Sequence, residues 1–197
     1  NIKAVGFDLD GTLYPSSEEL NQEIERLKIQ VVSQKLGKDE AETKTIYQQR
    51  YDTIGSHTKT LGTFGINGEE FFTNAWDDIN LGKFIHKDPE ADQLLKQLSC
   101  KYRLFVLSNS NRDDQIQNKL GLIGIEPSVF EFIQSTVGLG AVKPDPKPFL
   151  VCLDRLQLSP EEVLYVGDRE STDIKGAHGV GMKTCIIRGE SQLADTK

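Results

Sequence analysis

The chain is poor in cysteine: Cys100, Cys152 and Cys185 are the only three among 197 residues, far apart and without a C-x-x-C pair. That pattern argues against a disulfide framework and a zinc site, and leads to the expectation of reduced, mostly packed thiols in a cytoplasmic protein. Positive charge is also short, with 23 Lys and Arg against 30 Asp and Glu and a net charge of −7. With no basic stripe and no Lys/Arg cluster interleaved with aromatics, nucleic-acid binding is not expected as the main task. No apolar run is long enough to span a bilayer and none reads as a secretory leader, so no membrane partner is expected either. Internal repeats and low-complexity stretches are missing. The first residue is Asn1 rather than Met, and a few residues are expected before it.

What is present alternates. Apolar runs at residues 5–7, 104–107, 129–133, 163–166 and 184–187 read as strands, and amphipathic helices separate most of them. That order gives β-α-β units and therefore a parallel sheet. Asp88-Pro89-Glu90 supplies an N-cap, a first-turn proline and an acid at the positive helix end, with Leu94, Leu95 and Leu98 as the expected buried stripe. Residues 148–156 repeat the design with Phe149, Cys152, Leu153 and Leu156.

Residues 14–87 break the alternation, with several helices and no convincing strand. Ser16-Ser17-Glu18-Glu19 predicts a capping box with Ser16 as cap, followed by Leu20, Ile24, Leu27 and Val31 at helical spacing and closed by Gly37. A second helix is predicted from about Asp39 to Tyr51 or Ile54, and a third around Glu69 to Trp76 with Asn67 as cap. The expected organisation is a core of residues 1–13 and 88–197 with an all-helical insert, residues 14–87, hanging over the strand ends as a lid.

The chemistry sits where strands stop. Asp8-Leu9-Asp10-Gly11-Thr12 follows the apolar Ala4-Val5-Gly6-Phe7. Ligands of parallel sheets bind beyond the carboxyl ends of the strands. Alternate residues of an extended chain point to opposite sides, so Asp8 and Asp10 share a site only if the chain turns, which Gly11 permits. The second strand runs into Ser108-Asn109-Ser110-Asn111, hydroxyls and amides able to bind phosphate oxygens without adding charge. Lys143 precedes Pro144-Asp145-Pro146, whose prolines stiffen the backbone and suit a phosphate clamp. Gly167-Asp168 ends another strand, and Asp173 stands at the start of the next helix, where a dipole-stabilised surface acid is the plainer reading. Carboxylates converging on one crevice repel unless a cation intervenes, and an all-oxygen donor set suits Mg²⁺.

Asp8-x-Asp10-Gly11-Thr12, Ser108, Lys143-Pro144-Asp145-Pro146 and Gly167-Asp168-(x)4-Asp173 resemble, in order, the four motifs of the haloacid dehalogenase superfamily, and Ile174-x-Gly176-Ala177-(x)3-Gly181-Met182-x-Thr184 extends the match. The resemblance covers the whole chain. It implies an α/β fold, a Rossmann-like parallel sheet core with an all-helical cap inserted after the first strand. It implies Asp8 as nucleophile, Asp10 as general acid/base, and Ser108, Asn109 and Lys143 as phosphate-binding groups. Mg²⁺ would be held by Asp8, the Asp10 carbonyl and Asp168, with Asp173 ordering metal-bound water or Lys143. The implied reaction is hydrolysis of a small phosphate ester through an aspartyl phosphate on Asp8. The dehalogenases themselves lack an acid at the place of Asp10. Phe7-Asp8-x-Asp10-x-x-Leu13-Tyr14-Pro15, with Tyr51-(x)3-Gly55-(x)5-Leu61, further resembles the pyrimidine 5′-nucleotidase branch. That implies a pyrimidine nucleoside 5′-monophosphate as substrate, with Tyr51 and His57 as cap specificity residues. Lys59 and Thr60 depart from the branch, which tends to have Arg and Gly there. The alternatives are a phosphatase for glycolate or sugar phosphates, and a phosphosugar mutase, whose usual Asp-Thr pair is replaced here by Tyr14-Pro15.

Overall fold

A computed structural model describes residues 1–109 and 111–187. Ser110 of the hydroxyl–amide cluster and residues 188–197 of the expected core lie outside the described residues. In chain order the elements are β1 (Ala4–Phe7), α1 (Glu18–Leu36), α2 (Glu40–Ile54), α3 (His57–Gly62), α4 (Gly68–Asp78), α5 (Pro89–Ser99), β2 (Arg103–Ser108), α6 (Asp113–Ile123), β3 (Phe132–Ser135), α7 (Pro146–Leu156), β4 (Val163–Gly167), α8 (Lys175–Gly179) and β5 (Lys183–Ile186). The described residues form two compact units, Asn1–Ser16 with those from Ile85 onward, and Ser17–Phe84.

The first unit is built on a five-stranded sheet of order β3-β2-β1-β4-β5 in which every neighbouring pair is parallel. The chain winds outward from β1 to β3 and then crosses to β4, so the order reverses between β1 and β4, the place where such sheets form a ligand crevice. β1 is buried along its whole length and β2 along all but its first residue, which is why both read as continuous apolar runs. Phe105, Leu107 and Tyr165 pack with Phe149, Cys152 and Leu156 of α7 and with Ala177 of α8. Truncating the fully buried Phe149 to Ala would cost roughly 3–5 kcal/mol. Asp145 caps α7 through the Lys147 amide and Asp88 caps α5 through the Glu90 and Ala91 amides.

The second unit is entirely helical. Ile29 and Val32 of α1, Tyr47 of α2, Leu61 of α3 and Phe64 form its core. α4 is capped by Asn67, as the sequence predicts, and α2 starts where expected, capped by Asp39.

Several local expectations need correction. Ser17, not Ser16, caps α1, because its hydroxyl accepts the Leu20 amide. That helix buries Leu20, Lys28, Ile29 and Val32, one residue round from the apolar series Ile24, Leu27 and Val31, because Lys28 occupies an inward position. Leu94 is 55% exposed, so the stripe of α5 rests on Leu95 with Leu98 half-buried. The third strand begins at Phe132, since Pro127–Val129 forms a 3-10 turn. α3 lies where no helix is expected, in a segment of six residues too short to show a period. Only Cys152 is a buried thiol; Cys100 and Cys185 are exposed. Among the described residues no helix is long and apolar enough to cross a membrane.

Candidate active site

The residues expected to carry chemistry meet at the carboxyl ends of β1, β2 and β4, all within the first unit. Asp8 directly follows β1 and donates its amide to the Val166 carbonyl of β4 at 2.9 Å, which fixes its backbone at the crevice. The chain then turns, with the Thr12 and Leu13 amides bonded to the Leu9 carbonyl. Gly11 sits at φ +87°, and a Cβ there would lie 2.5 Å from Asp168 Oδ2. Glycine is required at that point on both counts. Gly167 plays the matching part at the end of β4, where a Cβ would lie 2.4 Å from the Asp173 Cβ.

Lys143 is the hub of one flank. Its Nζ lies 2.6 Å from Asp8 Oδ1, 2.7 Å from Asp173 Oδ1, 3.0 Å from the Tyr165 hydroxyl and 3.1 Å from the Leu107 carbonyl. Tyr165 in turn donates to the Leu107 carbonyl at 3.0 Å. Burial alone would lower the Lys143 pKa, but Asp8, Tyr165 and Asp173 outweigh it and hold the ammonium well above its ordinary range. Asp8 shows the opposite balance. Burial, reinforced by Asp173 and Asp10, outweighs Lys143 and pushes its carboxyl up to about 7. Asp173 is buried and its second oxygen accepts the Arg169 amide at 3.1 Å, so it is no solvated first-turn acid. It lies in a π-helical turn, Glu170–Ile174, ahead of α8.

Asp10 anchors the other flank. Its Oδ1 accepts the Tyr14 hydroxyl and, at 2.5 Å, Lys119 Nζ, while Oδ2 accepts the Asn111 amide at 2.7 Å. Burial would raise this acid, but Lys119, Tyr14 and Asn111 overcome it and hold the carboxyl below its ordinary value. The Ser108 hydroxyl, fully buried, accepts the same Asn111 amide at 2.8 Å. Asn109 uses both ends of its side chain on the Lys143 backbone, accepting the amide at 3.0 Å and donating to the carbonyl at 3.2 Å. It holds the lysine loop in place.

The donor set suits a hard divalent cation. Asp8, Asp168 and Asp173 each offer a carboxylate oxygen, and these lie within 4.8 Å of one another. Asp168 Oδ1 is buried without a hydrogen-bond partner among the described residues, an orphan that a cation would satisfy. Burial, with Asp173 adding, raises the Asp168 pKa, as expected of an acid short of positive charge.

Tyr51 and His57 lie in the helical unit, stacked on one another with ring centroids 4.0 Å apart, and His57 Nδ1 is 3.0 Å from the Tyr47 hydroxyl. Sequence reasoning did not single out Lys119 or Tyr165. Lys119 lies on the buried face of α6 with Ile116, Leu120 and Ile123, and a lysine at such a place calls for a carboxylate partner. Tyr165 reads as one more apolar strand residue, although a buried hydroxyl also needs a partner.

Comparisons with known proteins show the family of the chain. The family model for haloacid dehalogenase-like hydrolase matches residues 5–187. A glyceraldehyde 3-phosphate phosphatase from Methanopyrus kandleri is 30% identical over 95% of this chain and 84% of its own. A 5-amino-6-(5-phospho-D-ribitylamino)uracil phosphatase from Escherichia coli is 26% identical over 96% of this chain and 85% of its own. Among solved structures, a phosphatase of the family from Thermococcus onnurineus superposes with a TM-score of 0.63 at 26% identity, covering 97% of this chain and 91% of that one. The chain therefore belongs to the haloacid dehalogenase-like hydrolases, and it is an enzyme of that family.

Proposed function

We propose that the protein is a Mg²⁺-dependent phosphomonoester hydrolase that works through an aspartyl phosphate on Asp8. The observation that carries this reading is the convergence of Asp8, Lys143, Asp168 and Asp173 with Ser108 at one set of strand ends. Asp8 is the nucleophile: its carboxylate oxygen attacks phosphorus and the alkoxide leaves. Asp10, ionised beside Lys119, first takes a proton from solvent as the ester enters, passes it to the leaving oxygen, and then takes one from the water that opens the aspartyl phosphate. Lys143, rigidly held by Asp173 and by Asn109, stabilises charge on the transferring phosphoryl oxygens. Ser108 offers a hydroxyl to the same group. Asp8, the Asp10 carbonyl and Asp168 would hold Mg²⁺, which supplies neutralisation of the acid cluster and polarisation of the phosphoryl oxygens.

For the substrate we infer a short sugar or triose phosphate, on the strength of the Methanopyrus kandleri relative, which is named for glyceraldehyde 3-phosphate. The second reading is a pyrimidine nucleoside 5′-monophosphate, supported by the Tyr51 and Gly55 spacing and by the Escherichia coli relative, whose named substrate carries a uracil ring. The mutual stacking of Tyr51 and His57 uses the ring faces that a base would need, and it weighs against the second reading. Phosphate release with Mg²⁺ from glyceraldehyde 3-phosphate, glycolate phosphate, uridine and cytidine monophosphates and p-nitrophenyl phosphate tests both. The expected order places the triose phosphate first. A nucleotide preferred by tenfold would reverse the substrate assignment, and full activity in excess chelator would overturn the metal-dependent mechanism.

A further inference from the structure

Asp10 is held more completely than a proton carrier alone would need. Lys119, fully buried in α6, reaches Oδ1 at 2.5 Å and the Asn111 side-chain carbonyl at 2.7 Å. Asn111, also fully buried, links the opposite oxygen of Asp10 to the Ser108 hydroxyl, at 2.7 and 2.8 Å. Lys119, Asn111 and Asp10 thus close a three-membered ring of contacts, and Tyr14 adds a fourth group on Oδ1. A carboxylate oxygen has two lone pairs. Tyr14 and Lys119 take both on Oδ1, whereas among the described contacts Oδ2 accepts only from Asn111, which leaves one lone pair of Oδ2 for a transferred proton.

We propose that Lys119, with Asn111, is a positioning residue for the reaction: it locks the Asp10 carboxylate so that Oδ2 is the oxygen that carries protons to and from the reacting oxygens. A salt bridge kept only for stability has no need of a second arm to Ser108. The same ring ties the proton carrier to Ser108, which the backbone of β2 holds independently, so a shift of Lys119 would misplace the Asp10 carboxylate and leave the phosphoryl-binding hydroxyl in place. The inference rests on Asp10 acting as the acid/base group and adds a role for a residue that never touches substrate.

The test is a double-mutant cycle of Lys119→Met and Asp10→Asn, read as kcat/KM on two esters, glycerol phosphate and p-nitrophenyl phosphate. This ratio reports phosphoryl transfer to Asp8, the step in which only the poor leaving group needs a proton. Lys119→Met is expected to lose about 10–10²-fold on glycerol phosphate, since small misplacements cost that much. On p-nitrophenyl phosphate it should lose no more than ~3-fold, because that leaving group departs without proton assistance. Added to Asp10→Asn, it should cost no more than ~3-fold further, because residues acting as one unit are not additive. Equal losses on the two esters, or losses that multiply in the double variant, would overturn the proposal while leaving Asp10 in its role. A near-normal Asp10→Asn on glycerol phosphate would overturn the role of Asp10 and the proposal with it. Should Lys119→Met fail to fold, the same two-ester comparison on Asn111→Ala decides, and equal losses there overturn the proposal in the same way.

Discussion

Asp8 and Asp10 are the same side chain two residues apart, and each is paired with a buried lysine and a nearby tyrosine. The balance of charge around them differs. On the Asp8 flank one cation, Lys143, serves both Asp8 and Asp173, with Asp168 within reach of both acids. On the Asp10 flank Lys119, Tyr14 and Asn111 all donate to one carboxylate. The outcome is opposite pKa shifts, upward for the buried Asp8 and downward for the partly buried Asp10. Burial pushes both acids up, and the ratio of donors to carboxylates decides whether it prevails. The Asp8 flank holds more carboxylates than cations, whereas on the Asp10 flank one lysine meets one carboxylate.

The largest effects should follow from replacing the two acids themselves. Asp8→Asn is expected to abolish turnover, because an amide cannot form the aspartyl phosphate. Asp10→Asn should lose about 10²–10⁴-fold, less on esters with good leaving groups. Equal residual activity in the two variants, measured as phosphate release, would erase the distinction between the flanks.

A second comparison contrasts Lys143 with Lys147. Lys143→Ala should cost on the order of 10²-fold or more in kcat/KM. It should also lower stability by roughly 3–5 kcal/mol, since two buried acids lose their cation. Lys147 is exposed and its ammonium bonds only the Leu139 carbonyl, at 2.5 Å, among the described contacts. Its replacement by Ala should leave activity and melting temperature near those of the parent. If the two variants behave alike, Lys143 is not the hub of the site.

The smallest effects concern the charge imbalance. Asp8 has its carboxyl raised from 3.8 to about 7, so the folded state binds its proton more tightly than the unfolded chain. That stability is fully present below about pH 4 and is lost as pH rises through about 7. In chelator, the melting temperature should therefore fall from about pH 4 to about pH 7, the window between the unfolded and folded values. Asp8→Asn, locked neutral, should flatten that slope. Mg²⁺ at ~100 times its dissociation constant should restore roughly 2.7 kcal/mol at the upper end, and should fail to do so in Asp168→Ala. A melting temperature that rises with pH in chelator would show that Asp8 is not short of positive charge.

The strand ends were readable from the chain because they obey local rules. An apolar run that stops at Asp8, Ser108 or Asp168 marks the carboxyl edge of a parallel sheet, and Asp39, Asn67 and Asp88 mark helix starts through bonds spanning two or three residues. Both the α/β class and the helical insert follow from such short-range signals. The roles of Asn109, Lys119 and Tyr165 do not. Asn109 stands among polar neighbours that read as phosphate ligands, yet it holds Lys143, 34 residues away. Lys119 reaches Asp10 across 109 residues, and Tyr165 meets Lys143 only because β4 lies beside β1. In the helical insert Lys28 takes an inward position beside Glu25 and Tyr47, which shifts the buried face of α1 away from its apolar series. Local sequence carries backbone periodicity and capping, because those interactions close within one or two turns. Which buried charge finds which partner depends on distant segments meeting in the sheet, and the electrostatics of the site is set there.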